Sequence, residues 1–216
     1  MLFKDRQDAG RQLALQLLKF KNKSDVIVLG LARGGVVTAA EVAASLHLPL
    51  NVIVVRKIGA PGNEELAIGA IAEQGEGIFN DHLIGLLGVS SDYLKKEVER
   101  QKRVLKERLS RYRGKSASLH LKDKMVILVD DGIATGASMR VAIASVRYAG
   151  VKKIILAVPV AAPDSLRKIS KEVDEAICLS SPAFFESVGS FYRLFDQTTD
   201  EEVIQLLAKY SSGEFA

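Results

Sequence analysis

Between residues 126 and 139 the sequence reads Val126-Ile-Leu-Val-Asp-Asp-Gly-Ile-Ala-Thr-Gly-Ala-Ser-Met139. Four apolar residues predict a buried strand, and two adjacent acids follow at its carboxyl end, where open α/β sheets bind their ligands. Neighbouring strand side chains point to opposite faces, so Asp130 and Asp131 cannot both be buried without partners. Sugar hydroxyls or a hydrated Mg²⁺ would satisfy these two carboxylates.

The glycine-rich turn that follows, Gly132 to Ser138, leads into a predicted helix. Free backbone N–H groups at such a turn, with the Thr135 and Ser138 hydroxyls, form a cradle for a phosphate dianion. Carboxylates that can bind sugar hydroxyls, next to a turn that can bind phosphate, predict a pocket for a ribose 5-phosphate.

The chain around this stretch alternates apolar strands with helical periods. We predict strands at 25–30, 50–55, 124–129, 153–158 and 174–179, and helices at 5–20, 36–46, 137–149, 164–171 and 200–209. Gly150 is expected to end the helix before it in a left-handed conformation. Continuous Val/Ile/Leu strands separated by helices indicate an α/β fold, with a central parallel sheet of about five strands flanked by helices.

Two segments interrupt this alternation. Residues 58–77 are rich in glycine and alanine, which predicts a mobile loop followed by a short hairpin. Ser90 is a good N-cap for a long helix over 90–113, an insertion in which apolar residues recur at helical spacing. We therefore predict one domain over residues 1–216.

Composition narrows the class of protein. The 216 residues are 48% hydrophobic and 26% charged, which is typical of globular proteins and excludes disordered and collagen-like chains. No apolar run approaches the roughly 20 residues of a membrane span, and no signal peptide is recognisable, so we expect no membrane partner and a cytoplasmic protein. The single cysteine, Cys178, cannot form an internal disulfide.

The formal net charge of +4 is concentrated in one segment. Between Ser90 and Arg113 there are nine Lys or Arg residues and four acids. The simpler interpretation is a solvated helix whose apolar stripe packs on the body or on a second subunit. The other is an electrostatic footprint for nucleic acid.

Two further elements carry cations near the predicted sheet edge. Gly30-Leu-Ala-Arg-Gly-Gly35 joins the first strand to a helix without the spacing of a dinucleotide loop. Arg56 and Lys57 end the second strand. The first loop is either a tight turn or an anion loop, and the two cations either face water or bind an anion.

The 126–139 stretch resembles the signature of the type I phosphoribosyltransferases. The segments 3–14 and 191–197 are similar to those of an uncharacterised bacterial subfamily. The resemblance implies a phosphoribosyltransferase-like fold with a small hood, for which residues 181–195 are the candidate segment. It also implies release of pyrophosphate from 5-phosphoribosyl diphosphate and Mg²⁺, by attack of a planar nitrogen acceptor such as a nucleobase, as in nucleotide metabolism, and a homo-oligomer.

The resemblance also assigns roles to residues. Arg33, Lys57, Asp130 and Asp131 would be catalytic, and the two acids would hold the metal directly or through water. Loop 30–35 would bind pyrophosphate through a cis peptide at Ala32–Arg33, and residues 58–77 would close over the site. The full predicted binding set is Ala32, Arg33, Gly34, Gly35, Arg56, Lys57, Asp130, Asp131, Gly132, Ile133, Ala134, Thr135, Gly136, Ala137 and Ser138.

The acceptor is less well defined. Enzymes acting on 6-oxopurines carry an acid where this chain has Ala134, and a Lys where it reads Val158-Pro-Val160, so hypoxanthine and guanine are disfavoured. Phe184, Phe185, Phe191 and Tyr192 either stack on the acceptor or belong to the core. The alternative function is a non-catalytic sensor of nucleotide or 5-phosphoribosyl diphosphate that binds nucleic acid through the basic helix.

Overall fold

A computed structural model describes residues 2–114 and 119–210. The helices are α1 (Arg6–Leu15), α2 (Gly34–Leu46), α3 (Asp81–Leu86), α4 (Ser91–Arg113), α5 (Ala137–Tyr148), α6 (Pro163–Ile169) and α7 (Asp200–Tyr210). The strands are β1 (Val26–Leu31), β2 (Leu50–Ile53), β3 (Val55–Ala60), β4 (Asn63–Ala72), β5 (Ile78–Phe79), β6 (Met125–Val129), β7 (Lys153–Val160) and β8 (Glu175–Ser180).

The central sheet is parallel and has five strands in the order β2-β1-β6-β7-β8. Its inner strands are buried along most of their length because helices cover both faces. Gly30 of β1 pairs in register with Val129 of β6, so the loops that follow these strands begin side by side. The predicted sheet is confirmed.

Of the mobile loop and short hairpin predicted over 58–77, the hairpin is confirmed, but strands take the place of the loop. Strands β3, β4 and β5 form a second, antiparallel sheet across this segment. Its glycines permit close packing: a Cβ on Gly59 would lie 2.6 Å from the Glu64 Cα, and one on Gly69 would lie 2.5 Å from the Phe79 ring. Glycine therefore serves strand pairing here, and closure of this segment over the site stays a prediction.

The long helix α4 is confirmed, and its first residue follows the predicted cap. The Ser90 side chain accepts a hydrogen bond from the Tyr93 N–H at 3.2 Å. The Tyr93 hydroxyl donates to the Gly59 carbonyl at 3.0 Å, which ties the start of the helix to the second sheet. At the other end, the Arg113 guanidinium donates to Asn51, Glu73 and the Val52 carbonyl.

Smaller differences concern element ends. Helix α1 ends at Leu15, and a separate 3-10 helix follows at Leu18–Phe20. The second predicted strand divides, because β2 ends at Ile53 and β3 starts at Val55 in the other sheet. Gly150 has the expected left-handed conformation, with φ of 75°. Across the described residues, every helix is too short or too polar to cross a bilayer.

Candidate active site

The two acids of the signature stretch lie directly after β6. The Asp131 carboxylate accepts a hydrogen bond from Arg6 Nε at 2.6 Å, and both side chains are largely buried, at 14% and 12% exposed. The Asp130 carboxylate accepts the Asp131 N–H at 2.9 Å. Asp131 thus has a protein cation as its partner, whereas no cation of the described chain lies within 4 Å of the Asp130 carboxylate.

This environment raises the pKa of both carboxyl groups. Burial raises the pKa of Asp130 well above its ordinary value, and the neighbouring Asp131 charge raises it further. Burial also raises the pKa of Asp131, but the Arg6 guanidinium opposes that effect. Both carboxylates are therefore costly to keep ionised without a bound cation or hydrogen-bond donors.

The loop after β1 packs against these acids. A Cβ on Gly35 would lie 2.9 Å from the Asp130 Cα, and one on Gly34 would collide with the Asp131 carboxylate. The peptide bond between Ala32 and Arg33 is cis, as predicted. The absence of side chains at Gly34 and Gly35 therefore brings two distant loops into direct contact.

The glycine-rich turn has the predicted conformation. Gly136 has φ of 77° and immediately precedes α5, so the helix begins beside the acids. The Ile133 N–H donates to the Val160 carbonyl, and the Ala134 carbonyl accepts the Ser165 hydroxyl. The Ala137 N–H donates to the Thr135 hydroxyl at 3.5 Å, so the free N–H groups expected in the first turn of the helix belong to the residues after Ala137.

The three predicted cations have different surroundings. Lys57 is exposed and lines a cavity of about 420 Å³ that also includes Ser138 at the start of α5. The Arg33 guanidinium lies 3.6 Å from Asp200 of α7. Arg56 donates from Nε to the Gln101 side chain of α4 at 2.9 Å.

The segment proposed as a hood covers the turn after β6. Val188 contacts Gly132 so closely that a Cβ there would lie 2.5 Å from the valine side chain. The Tyr192 hydroxyl donates to the Asp131 carbonyl at 2.5 Å, and its ring packs on Phe3. Tyr192 is thus a core residue, whereas Phe184 is 95% exposed.

Arg6 and Tyr192 contact Asp131, but Arg6 was not predicted as a site residue, and Tyr192 was predicted only as a residue that stacks on the acceptor or belongs to the core. Besides its ion pair, Arg6 donates to the Asp196 carbonyl and stacks on the Phe195 ring, with its Cζ 3.8 Å from the ring centroid. Both residues belong to the two terminal segments that resemble the bacterial subfamily. Nothing local in the sequence places these segments beside Asp131, because Arg6 lies 125 positions away from it.

The site has the donors that a magnesium ion would require. Mg²⁺ prefers oxygen ligands, is held by one or two carboxylates and retains several waters. Asp130 and Asp131 fit this pattern, with Asp130 the more available because Arg6 occupies its neighbour. Elsewhere in the described ranges no group of three or more His, Cys, Asp or Glu side chains is placed to hold a metal ion. Cys178 is half-buried, and burial raises its pKa.

Comparison with known proteins agrees with this geometry. The model of the phosphoribosyl transferase domain family matches residues 3–195. Two Mycobacterium tuberculosis proteins, from strains CDC 1551 and H37Rv, carry names that assign them provisionally to the phosphoribosyl transferases. Each is 43% identical to this chain over 206 residues, which cover 95% of the chain but 46% of the relative.

A solved structure is also similar over nearly the whole chain. The crystal structure of TT1426 from Thermus thermophilus has a TM-score of 0.82 and 42% identity, and the match covers 98% of this chain and 100% of that one. The parallel sheet and the loop that carries the two acids define an α/β domain of the type I class. The chain belongs to the phosphoribosyltransferase family.

Proposed function

We propose that this chain transfers the phosphoribosyl group of 5-phosphoribosyl diphosphate to a nitrogen acceptor and releases pyrophosphate. The observation that carries the proposal is the contact between the Gly34–Gly35 loop and the Asp130–Asp131 pair, at the start of α5. This arrangement places a loop suited to the leaving group against carboxylates suited to the sugar. Family membership supports the same activity.

The sugar end of the donor would bind along the turn before α5. Thr135, Ser138 and the first-turn N–H groups would hold the 5-phosphate, because a helix start attracts anions. Asp130 and Asp131 would accept hydrogen bonds from the ribose hydroxyls. Their high pKa values favour such donors, which stabilise the carboxylate form.

The diphosphate end would bind loop 30–35. Departure of pyrophosphate leaves positive charge on the sugar, as in glycoside cleavage, and puts negative charge on the leaving oxygens. The backbone of the Gly34–Gly35 loop, the Arg33 guanidinium and the Lys57 ammonium would stabilise that charge. Fixing the sugar and leaving group in line is a second contribution, since orientation removes entropy from the barrier.

Mg²⁺ would be held at Asp130 and Asp131, mainly through water and donor oxygens. When bound, it supplies further neutralisation of the diphosphate charge. The acceptor would enter under segment 181–195, and a planar nucleobase is the chemical class we propose. Ala134 and Val158-Pro-Val160 argue against 6-oxopurines, because they stand where enzymes acting on those bases carry an acid and a Lys.

The test is phosphorus NMR of 5-phosphoribosyl diphosphate with Mg²⁺, protein and pooled nucleobases and small amines. The intact protein should produce pyrophosphate together with a new phosphomonoester. The double variant Asp130→Asn/Asp131→Asn should lower the rate at least about 100-fold. Asp164→Asn is the matched control, because that side chain is 82% exposed on α6 and should leave the rate unchanged.

Two outcomes would contradict the proposal. A donor signal that broadens on binding but never turns over, with any acceptor, would make the protein a sensor. A donor spectrum unaffected by the protein would mean that the pocket binds another phosphate compound.

A further inference from the structure

Helix α4 directs a polar stripe towards the body of the protein. Its buried residues are Glu97, Gln101, Leu105, Leu109 and Tyr112, which recur every three or four positions and so share one face. Most of its cations are exposed. Arg108 differs, because it is half-buried and stands four residues before Tyr112 and seven after Gln101, next to the same stripe.

The residues on either side of Arg108 along this face contact the two predicted arginines of the site. Gln101 accepts the hydrogen bond of Arg56 at 2.9 Å. Tyr112 donates to Asp200 at 2.6 Å, and the same carboxylate lies 3.6 Å from the Arg33 guanidinium. Arg108 lies between Gln101 and Tyr112 on the same face of the helix, so its half-buried side chain starts between the contact to Arg56 and the contact to Asp200.

The electrostatics agree with this placement. Burial lowers the pKa of Arg56, and the positive charge of Arg108 lowers it further. The hydrogen bond from Tyr112 lowers the pKa of Asp200, and the charges of Arg108 and Arg33 act in the same direction. Arg108 is thus close enough to lower the pKa of both Arg56 and Asp200.

The group carries more positive than negative charge. Arg33 shares the Asp200 carboxylate with the Tyr112 hydroxyl, and Glu97, the carboxylate that acts on Arg56, is already engaged by both Nε and Nη2 of Arg100. Among the described residues, the Arg108 guanidinium has no hydrogen bond and no acid within 4 Å. Like charges held together in a half-buried place favour binding of a multivalent anion.

We propose that Arg108 of α4 completes, with Arg33 and Arg56, a binding site for a diphosphate group. This inference rests on the proposed function, because Arg33 belongs to the loop assigned to the leaving group. It gives the inserted helix a role in holding the substrate. Guanidinium groups suit this ligand, since each presents paired N–H donors to phosphate oxygens.

The experiment is calorimetric titration of inorganic pyrophosphate into the full chain, without Mg²⁺, at two ionic strengths. Arg108→Gln should raise the dissociation constant about tenfold, the loss expected for one charged hydrogen-bond donor. Arg108→Lys should recover part of that loss. Arg103→Gln is the matched control: the same charge is removed from an exposed position of α4, and the constant should change less than about twofold.

Equal weakening by Arg103→Gln and Arg108→Gln would overturn the inference, since the helix would then act only through its general field. An unchanged constant in Arg108→Gln, or no pyrophosphate binding by the intact protein, would also overturn it. The transfer assay separates this result from the proposed function. If Arg108→Gln weakens pyrophosphate binding but the intact protein transfers nothing, the diphosphate site is supported and the proposed function is rejected. If the intact protein does transfer, but Arg108→Gln changes neither the dissociation constant of pyrophosphate nor the KM of the donor, only the diphosphate site is rejected.

Discussion

Helices α5 and α4 both border the candidate site, but they are attached to the molecule in different ways. Helix α5 packs on the central sheet through Met139, Ala142, Ile143 and Val146, all of which are buried. Helix α4 adds hydrogen bonds to distant residues through Tyr93, Gln101, Tyr112 and Arg113. The apolar packing of α5 follows from the spacing of its own apolar residues. Each hydrogen bond of α4 needs a partner that is distant in sequence and comes close only when the chain folds.

The largest effect is expected where α4 ends. Arg113 is 3% exposed and pairs with Glu73, so Arg113→Met would leave a partly buried carboxylate and the Val52 carbonyl without this donor. We expect a loss of about 3 kcal/mol in the free energy of unfolding, measured by urea denaturation. Arg103→Met on the exposed face should change it by less than about 0.5 kcal/mol. A similar loss in both variants would mean that Arg113 is no anchor.

The next effect concerns the loops beside α5. A Cβ on Gly35 would lie 2.9 Å from the Asp130 Cα and 3.0 Å from the Val129 carbonyl, which are backbone atoms that cannot turn away. Gly35→Ala should therefore cost about 2 kcal/mol in stability. Gly85→Ala, in α3 with no atom within 4 Å of its Cβ, is the control and should be neutral or slightly stabilising. An unperturbed Gly35→Ala variant would show that the two loops separate easily.

The two adjacent acids should respond in opposite directions. Asp131→Asn removes the ion-pair partner of Arg6 and should lower stability by about 1–2 kcal/mol. Asp130→Asn removes a carboxylate whose pKa is raised by burial and should increase stability by about 1 kcal/mol near neutral pH.

The raised pKa of Asp130 determines how the stability gain of Asp130→Asn changes with pH. Because the pKa of Asp130 is higher in the folded state, the folded protein binds more protons, and stability falls as pH rises through that pKa. The advantage of Asp130→Asn in urea denaturation should therefore grow as the pH rises from the ordinary aspartate pKa through the raised pKa of the folded state. An advantage that shrinks over this range would contradict the assignment.

The smallest effect tests the start of α4. Tyr93→Phe deletes the hydrogen bond to the Gly59 carbonyl and should cost about 1 kcal/mol. Tyr148→Phe is the control, since that ring is 73% exposed on α5. Equal melting temperatures for the two variants would mean that apolar contacts alone hold this end of α4.

Prediction from sequence succeeded where neighbours along the chain determine the outcome. The strand, acids and turn of 126–139 are contiguous, and the central sheet and the caps at Ser90 and Gly150 follow from patterns of a few residues. It failed over 58–77, where glycine content predicted mobility. There the glycines make room for Glu64 and Phe79, residues that only strand pairing brings close.

The sequence by itself determined the parallel sheet and the loop that carries the two acids, because apolar periodicity and turn chemistry act over short distances. It indicated the family through the resemblance of residues 126–139 to a known signature. Only the tertiary structure decided that Arg6 neutralises Asp131 and that Arg56 bonds to α4. These contacts join residues tens of positions apart, and side-chain charges find such partners only after the backbone has packed.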